Sequence, residues 1–321
     1  MSFGKQLELE YRADDKRSTA NGIRMVINNL IDYQKSEIIY TRDITVDFLK
    51  GFERYLKKLY EQIRTKGPNV NQLTRMPGLK ESSIATQFFL FKLIFNSIRN
   101  KYYDQNKSEY KISNYPFKLF KISTPVPSED EKKELPIPFI KIVRDCKTRP
   151  GSVAELVQHI NMLSFYLCGL KGKDIYNLNK IKNGRISYNR SKTEGKRKDN
   201  AYIGIKVIPE AEILLDKYLV KIRTRYKNSH CLQKAICNGN VALKNLICEQ
   251  FPDSKYLSYE LLFGIFRHAF ADEIHNKLGY KIAQVGEALN HGYITITHRY
   301  IKKKWDLIEM QAGVVDLLRE K

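Results

Sequence analysis

Side chains that could act together on an anion lie near the C-terminal end of the chain. The stretch FRHAF places Arg267 in an apolar helical pattern, and the stretch LNHGYITITHRY places His291 nine residues before Tyr300. An arginine in so apolar a helix must point off the apolar face or meet an anion, because an unpaired buried charge is costly. Tyr300 is one of 20 tyrosines. A tyrosine usually only packs its ring and satisfies its hydroxyl, so its candidacy depends on other residues converging on it.

A second concentration of charge lies in the stretch GRISYNRSKTEGKRKDNAYIGIKVI and just before it. Residues 180–198 hold eight basic residues and one acidic residue. Apolar and polar residues alternate on both sides of a turn rich in glycine and charge, which predicts a β-hairpin with Lys192 where the first strand enters the turn. Charge runs are usually solvated faces, but a basic hairpin tip also suits a phosphate backbone. The candidate DNA-contacting residues are Lys180, Lys182, Arg185, Arg190, Lys196, Arg197 and Lys198.

The whole composition favours a polyanionic partner. The chain has 321 residues with 56 Lys+Arg against 35 Asp+Glu, a formal charge of +21 and a pI of about 9.6. Residues 1–125 hold 22 basic and 13 acidic residues, so the excess is spread over both parts of the chain. A polyanion that touches both parts is therefore the expected partner. The alternative is a charge that serves solubility or a membrane-surface patch, and no apolar run, basic amphipathic helix or lipidation signal favours a membrane.

The cysteines and the N-terminal sequence indicate the cellular compartment of the protein. Five cysteines without a tight framework agree with a reducing environment, and MSFGKQLELEY lacks the layout of a signal peptide. We therefore expect a cytoplasmic protein, bacterial and associated with the nucleoid when bound to DNA. Cys231, Cys237 and Cys248, with His230, could be drawn as a zinc site. Their spacing lacks the short C-x-x-C pair, so we expect ordinary buried thiols and no metal.

Two folded parts joined by a linker must position these residues. Half of the ten prolines fall within residues 116–138, which predicts a helical domain over 1–122, a Pro-rich linker over 123–138 and a second domain over 139–321. In the first domain, TVDFLKGFERYLKKLY and SSIATQFFLFKLIFNSIRNKYY carry apolar residues at helical spacing, with a serine as N-cap of the second helix. We expect this domain to be entirely helical.

The second part is predicted to be mostly helical around the hairpin. VAELVQHINMLSFYLCGL is typical of a buried helix that ends near Gly169, and helical patterns resume in PEAEILLDKYLVKIRTRY and YELLFGIFRHAFADEIHNKL. The predicted fold class is therefore mainly α, of the α+β type, with a small antiparallel sheet.

The order of these motifs resembles that of the tyrosine recombinases, the phage-integrase family. A helix ending in CGLKGKDIYNL, a hairpin with SKT, a helix with FRHAF and then LNHGYITITHRY follow one another as in the catalytic domain of that family. The preceding part is similar to its core-binding, SAM-like domain. The resemblance covers residues from about 20 to about 305 and implies two domains that hold duplex DNA from opposite sides. A type IB topoisomerase uses similar chemistry, but the helical first domain favours recombination.

The resemblance implies a role for each candidate. Tyr300 would attack a backbone phosphorus and form a 3′-phosphotyrosyl link, which retains the bond energy and needs no ATP, metal or other cofactor. Arg267 would donate to the non-bridging oxygens, and Lys192 would protonate the leaving 5′-oxygen. His291 would hydrogen-bond near the phosphate. His268 and Asp174 are expected in supporting positions, the latter at the active-site turn.

Two positions depart from the family pattern. Lys171 stands where the family has its first arginine, in a G-L-R turn, and a lysine keeps the charge but loses the bidentate fork. Gly264 stands three residues before Arg267, where a polar side chain is usual. The leading hypothesis is a site-specific recombinase that integrates or excises a mobile element. The alternative is a recombinase-fold DNA-binding protein with a degenerate site, acting as a regulator or architectural factor.

The last stretch, KKKWDLIEMQAGVVDLLREK, has an amphipathic helical pattern. In recombinases that resemble this chain, such a helix docks on a neighbouring protomer, which implies a homotetramer on DNA. A helix that packs on its own domain remains the alternative.

Overall fold

The computed structural model describes residues 3–58, 60–66, 69–122, 135–178, 181–195, 197–262, 264–292, 297 and 301, with the backbone alone between 60 and 74. The chain divides into two compact units, Met1–Val126 and Pro127–Lys321. The division falls within the range assigned to the linker, most of which lies outside the described residues.

The first unit combines helices with short antiparallel hairpins. Its described helices and strands are α1 (Phe3–Ala13), α2 (Arg17–Gln34), α3 (Val46–Lys57), β1 (Tyr60–Lys66), β2 (Asn69–Met76), α4 (Glu81–Lys101), β3 (Tyr103–Asp104) and β4 (Glu109–Tyr110). β1 pairs with β2 and β3 pairs with β4. The expectation of an entirely helical first domain was therefore wrong. The missed signal is Gly67-Pro68, which breaks the sequence between two strands.

Apolar helix faces form the core of this unit, as their spacing predicted. Thr45 caps α3 by accepting from the Phe48 N–H at 3.1 Å, and Phe52 on that helix is fully buried. Phe88 and Phe91 of α4 pack their rings against Phe52. The serine cap expected for α4 is absent, because the helix starts at Glu81 after Lys80 and takes both serines into its first turn.

The second unit is a helical body with a hairpin whose buried residues join the same core. Its described helices and strands are α5 (Ile137–Asp145), α6 (Val153–Tyr166), α7 (Gly172–Asn177), β5 (Arg185–Asn189), β6 (Tyr202–Lys206), α8 (Pro209–Arg225), α9 (Ser229–Gln250), α10 (Ile265–Asn276) and α11 (Ile282–Ala288). α5 begins inside the range assigned to the linker. α6 lies at the centre, where its buried residues pack with those of α8, α9 and α10.

The predicted hairpin is confirmed. β5 pairs with β6 antiparallel, from Arg185 opposite Lys206 to Asn189 opposite Tyr202. Residues 190–201 form the loop that joins the strands, hereafter the hairpin loop. A smaller apolar cluster of Ala271, Val285, Leu289 and Ile301 holds α11 against α10. The turns at the ends of α6 and α11, the start of α10 and the hairpin loop are the elements that carry the candidate residues.

Two sequence expectations concern the surface. Cys231, Cys237 and Cys248 are exposed on α9, so the expectation that they would be buried thiols was wrong. Within the described ranges, no helix combines the length and apolarity that crossing a bilayer requires.

Candidate active site

The site is built around the turn that follows α6. Gly169 in this turn has φ +71°, and a Cβ at this position would lie 2.6 Å from Cγ of Arg267 and 3.1 Å from its Cα. A side chain here would meet both a left-handed backbone and the packed arginine. Glycine therefore allows the turn and α10 to approach each other closely.

Backbone oxygens orient the guanidinium of Arg267, a residue that is only 3% exposed. Its Nη1 donates to the carbonyl oxygen of Gly169 at 2.7 Å, and its Nη2 donates to the carbonyl oxygen of Leu289. Nη2 also lies 3.0 Å from Nε2 of His291. These bonds to backbone carbonyl oxygens orient the guanidinium. Two of the candidate residues are thus in direct contact.

The network defines the tautomer of His291. A guanidinium can only donate, so Nε2 of His291 accepts from Arg267 and the ring proton belongs on Nδ1. Nδ1 lies 2.9 Å from Oγ1 of Thr297, to which it can donate. Burial, and then the charges of Arg267, Arg190, Lys171 and Lys192, lower the pKa of His291 to about 3. The imidazole is therefore neutral at physiological pH.

Lys171 lies at the same turn, as the N-cap residue of α7. Burial lowers its pKa to about 8, helped by the charges of Arg267, Arg190 and Lys192. The same basic groups act on His291, so four cationic side chains surround a common region. Cations held this close repel one another, and an anion that entered the region would relieve the repulsion.

Asp174 fixes the hairpin loop to α7. It is buried, and its Oδ1 accepts from the backbone N–H of Ser191 at 3.0 Å and from the Ser191 hydroxyl at 2.8 Å. The next residue, Lys192, is exposed in the loop. Asp174 was expected to support the active-site turn, and the structure gives it contacts with the loop that carries Lys192.

A second arginine enters the site from this loop. Arg190 is 7% exposed, and its Nη1 donates to the carbonyl oxygen of Asn290 at 2.8 Å. Asn290 also donates from Nδ2 to the carbonyl oxygen of Ala201 at 2.7 Å, and its Oδ1 accepts from Arg197 at 2.7 Å. Both ends of the hairpin loop are therefore bonded to the residue just before His291.

The candidate DNA-contacting residues divide by exposure. Lys182, Arg185 and Lys198 are exposed, and Arg185 donates to the carbonyl oxygen of Gly204 at 2.8 Å. Arg197 is half-buried and pairs with Asp199 and Asn290. Arg190 is buried within the site instead of lying on the hairpin surface, and Lys180 and Lys196 lie outside the described residues.

The structure describes only some of the remaining candidate residues. Tyr300 lies outside the described residues, as does the terminal segment assigned to a docking helix. Thr297 on one side of Tyr300 is fully buried, and Ile301 on the other side is 4% exposed. His268 is half-buried on α10. Gly264 caps α10 with φ +85°, a conformation in which a histidine would be strained.

Sequence reasoning missed two residues that organise the site. Asn290 has φ +51° at the end of α11, and an asparagine just after a helix is a known signal for this conformation. The second is Arg190, which was assigned to a DNA-contacting surface. Its burial depends on Asn290, 100 residues away along the chain, and no local pattern indicates such a contact.

Comparisons with known proteins agree with the architecture. The profile of the phage integrase SAM-like domain matches residues 1–113. The XerH site-specific recombinase, in a post-cleavage complex with a palindromic difH substrate, superposes with a TM-score of 0.58 at 15% identity, over 92% of this chain and 80% of that one. The Tn1549 transposon integrase, in complex with a circular intermediate DNA, superposes with a TM-score of 0.54 at 12% identity, over 98% and 99%. No curated protein matches the sequence.

These similarities define the class of fold. The chain has the fold of the tyrosine recombinases, and its first part has the SAM-like domain of phage integrases. The resemblance inferred from the order of the sequence motifs is therefore confirmed for the fold.

Proposed function

We propose that this protein is a site-specific DNA recombinase that cleaves and rejoins DNA through a tyrosyl intermediate. The observation that carries the proposal is the cluster in which Arg267 contacts His291 while Lys171, Lys192 and Arg190 contribute positive charge. A duplex backbone supplies the anion that such a cluster favours. The relatives in fold were solved as complexes with a difH substrate and with a circular intermediate DNA.

The proposed chemistry assigns one task to each residue. The Tyr300 hydroxyl attacks the scissile phosphorus, a bond from the tyrosyl oxygen to phosphorus forms, and the bond to the 5′-oxygen breaks. The phenol proton is released to water and Lys192 supplies a proton to the leaving 5′-oxygen. Arg267 and Lys171 stabilise the non-bridging oxygens. His291, neutral and with its Nδ1 proton facing Thr297, supports Arg267.

Rejoining reverses these steps with a 5′-hydroxyl of another strand. The phosphotyrosyl bond conserves the energy of the broken phosphodiester, so no ATP is consumed. The proposed setting is the integration or excision of a mobile element, and the proposed assembly is a homotetramer on DNA. The integrase neighbour from a transposon supports the setting.

Covalent trapping tests the proposal directly. The protein is incubated with nicked duplexes taken from the DNA that flanks its own gene, denatured in detergent and examined for a protein–DNA adduct. We expect an adduct with the unsubstituted protein and none with Tyr300→Phe, while both proteins bind the duplex equally. An equal adduct with Tyr300→Phe would remove this tyrosine from the mechanism.

A DNA-binding protein with a weakened site is the second candidate, and Lys171 is the observation that favours it. A lysine offers a point charge where a bidentate guanidinium would hold two oxygens. Lys171→Arg should raise the rate of adduct formation if the site is merely weakened. Absence of any adduct with either protein, on DNA that both bind specifically, would favour the regulator or architectural factor. Gly264 has φ +85°, where a histidine would be strained, so Gly264→His is not combined with Lys171→Arg.

A further inference from the structure

We propose that Arg190 is a catalytic residue that supplies the second guanidinium of the site, the one that Lys171 lacks. This inference rests on the proposed recombinase function. It moves Arg190 from a DNA-contacting surface, where the sequence placed it, to the reacting phosphate.

The first argument is burial of a charge without a counter-charge. Arg190 is 7% exposed, yet among the residues that the structure describes it forms no ion pair with a carboxylate. The acidic residue of the cluster, Asp174, is engaged by Ser191. A buried guanidinium held in this way is costly unless an anion reaches it, and a phosphate is the anion that DNA would bring.

The second argument is the position of the charge. Arg190 is among the groups that lower the pKa of both Lys171 and His291. It also lies two residues before Lys192 on the hairpin loop. Its charge therefore acts on the same region as the charge of Arg267, which lowers the pKa of the same two residues.

The third argument is the way in which the guanidinium is held. Nη1 donates to the carbonyl oxygen of Asn290, just as Nη2 of Arg267 donates to the carbonyl oxygen of Leu289. Successive peptide units thus orient the two guanidinium groups. Within the described part of the chain no further hydrogen bond engages the guanidinium of Arg190. Its other N–H groups are available to the non-bridging oxygens of a phosphate.

The test removes the positive charge of Arg190 from the protein and, separately, the negative charge of the scissile phosphate from the DNA. Adduct formation is timed for the unsubstituted protein, for Arg190→Ala and for the control Arg144→Ala, which removes an exposed arginine paired with Asp145. Each protein is given a normal duplex and a duplex with an uncharged methylphosphonate at the mapped scissile position. We expect Arg190→Ala to react ~10²-fold more slowly than the unsubstituted protein on the normal duplex, the loss typical of a missing transition-state donor.

On the methylphosphonate duplex the difference should shrink to less than ~10-fold, because the charge that Arg190 stabilises has been removed. A structural role predicts the same loss on both duplexes, and that outcome would overturn the inference. Equal rates of Arg190→Ala and the unsubstituted protein on the normal duplex would also overturn it while leaving the proposed function intact. If Arg190→Ala does not fold, Arg190→Lys takes its place with the same two duplexes. No adduct with the unsubstituted protein would overturn the proposed function, and this inference with it.

Discussion

Comparing Gly169→Ala with Gly151→Ala should separate the effect of backbone strain from the effect of displacing Arg267. Gly169 has φ +71°, and a Cβ there would lie 2.6 Å from Cγ of Arg267. Gly151 is a matched control in the same unit, because it has φ +77° and a Cβ there would have nothing within 4 Å. Both alanine variants incur the strain of a left-handed L-residue, about 1–2 kcal/mol.

Only Gly169→Ala should carry a second penalty. Relieving the contact requires Arg267 to move by several tenths of an ångström, which stretches or breaks the 2.7 Å bond from its Nη1 to the Gly169 oxygen. A hydrogen bond made by a charged group contributes about 1.5–3 kcal/mol. We therefore expect the free energy of unfolding to fall by about 2.5–5 kcal/mol for Gly169→Ala and by about 1–2 kcal/mol for Gly151→Ala.

Two assays check these values. Urea denaturation followed by circular dichroism compares the free energies of unfolding of the two variants and the unsubstituted protein. Adduct formation on a nicked duplex, at a temperature where every variant is folded, compares the rates. The displaced guanidinium should slow Gly169→Ala by ~10²–10³-fold, with Gly151→Ala close to the unsubstituted protein. Equal losses of stability and rate in the two variants would refute the idea that close approach to Arg267 requires this glycine.

Further predictions concern the residues around Arg267. Lys171 is charged below its pKa of about 8 and neutral above it, so the rate of adduct formation at limiting DNA should fall as the pH rises through about 8. Lys171→Arg should keep its rate to higher pH, because arginine stays protonated; superimposable pH profiles would contradict this role. Asp174→Ala should slow adduct formation by up to ~10²-fold through loss of the anchored loop and its Lys192. Ser191→Ala should slow it less, because the 3.0 Å backbone bond to Asp174 persists, and the reverse order would argue against anchoring.

Local patterns were enough to predict several of the helices, among them α3, α4 and α6, and the hairpin of β5 and β6. The spacing that buries Phe52 and Phe88 is a property of a few helical turns, and the alternation in β5 and β6 belongs to two adjacent strands. These elements therefore follow from the sequence with no knowledge of the rest of the fold. The hairpin of β1 and β2 was missed because the helical patterns on both sides dominated the interpretation of the first unit.

The site was predictable only in part, because much of it depends on contacts between distant segments. The order of motifs identified Arg267 and His291, which the structure brings into contact. It gave no means of distinguishing Arg190 from Arg185, although the same hairpin carries both residues. The first is buried against Asn290 and the second is exposed, and this difference arises from the position of α11, which the hairpin sequence does not encode.

The turn after α11 has a consequence for how the sequence can change over time. The carbonyl oxygens of Leu289 and Asn290 hold Arg267 and Arg190, and His291 follows directly. A peptide oxygen is present whichever side chain its residue carries, so point substitutions at the first two positions leave both acceptors in the chain. Insertion or deletion of a single residue would instead shift both acceptors and the histidine together. Related chains should therefore keep the length of this turn.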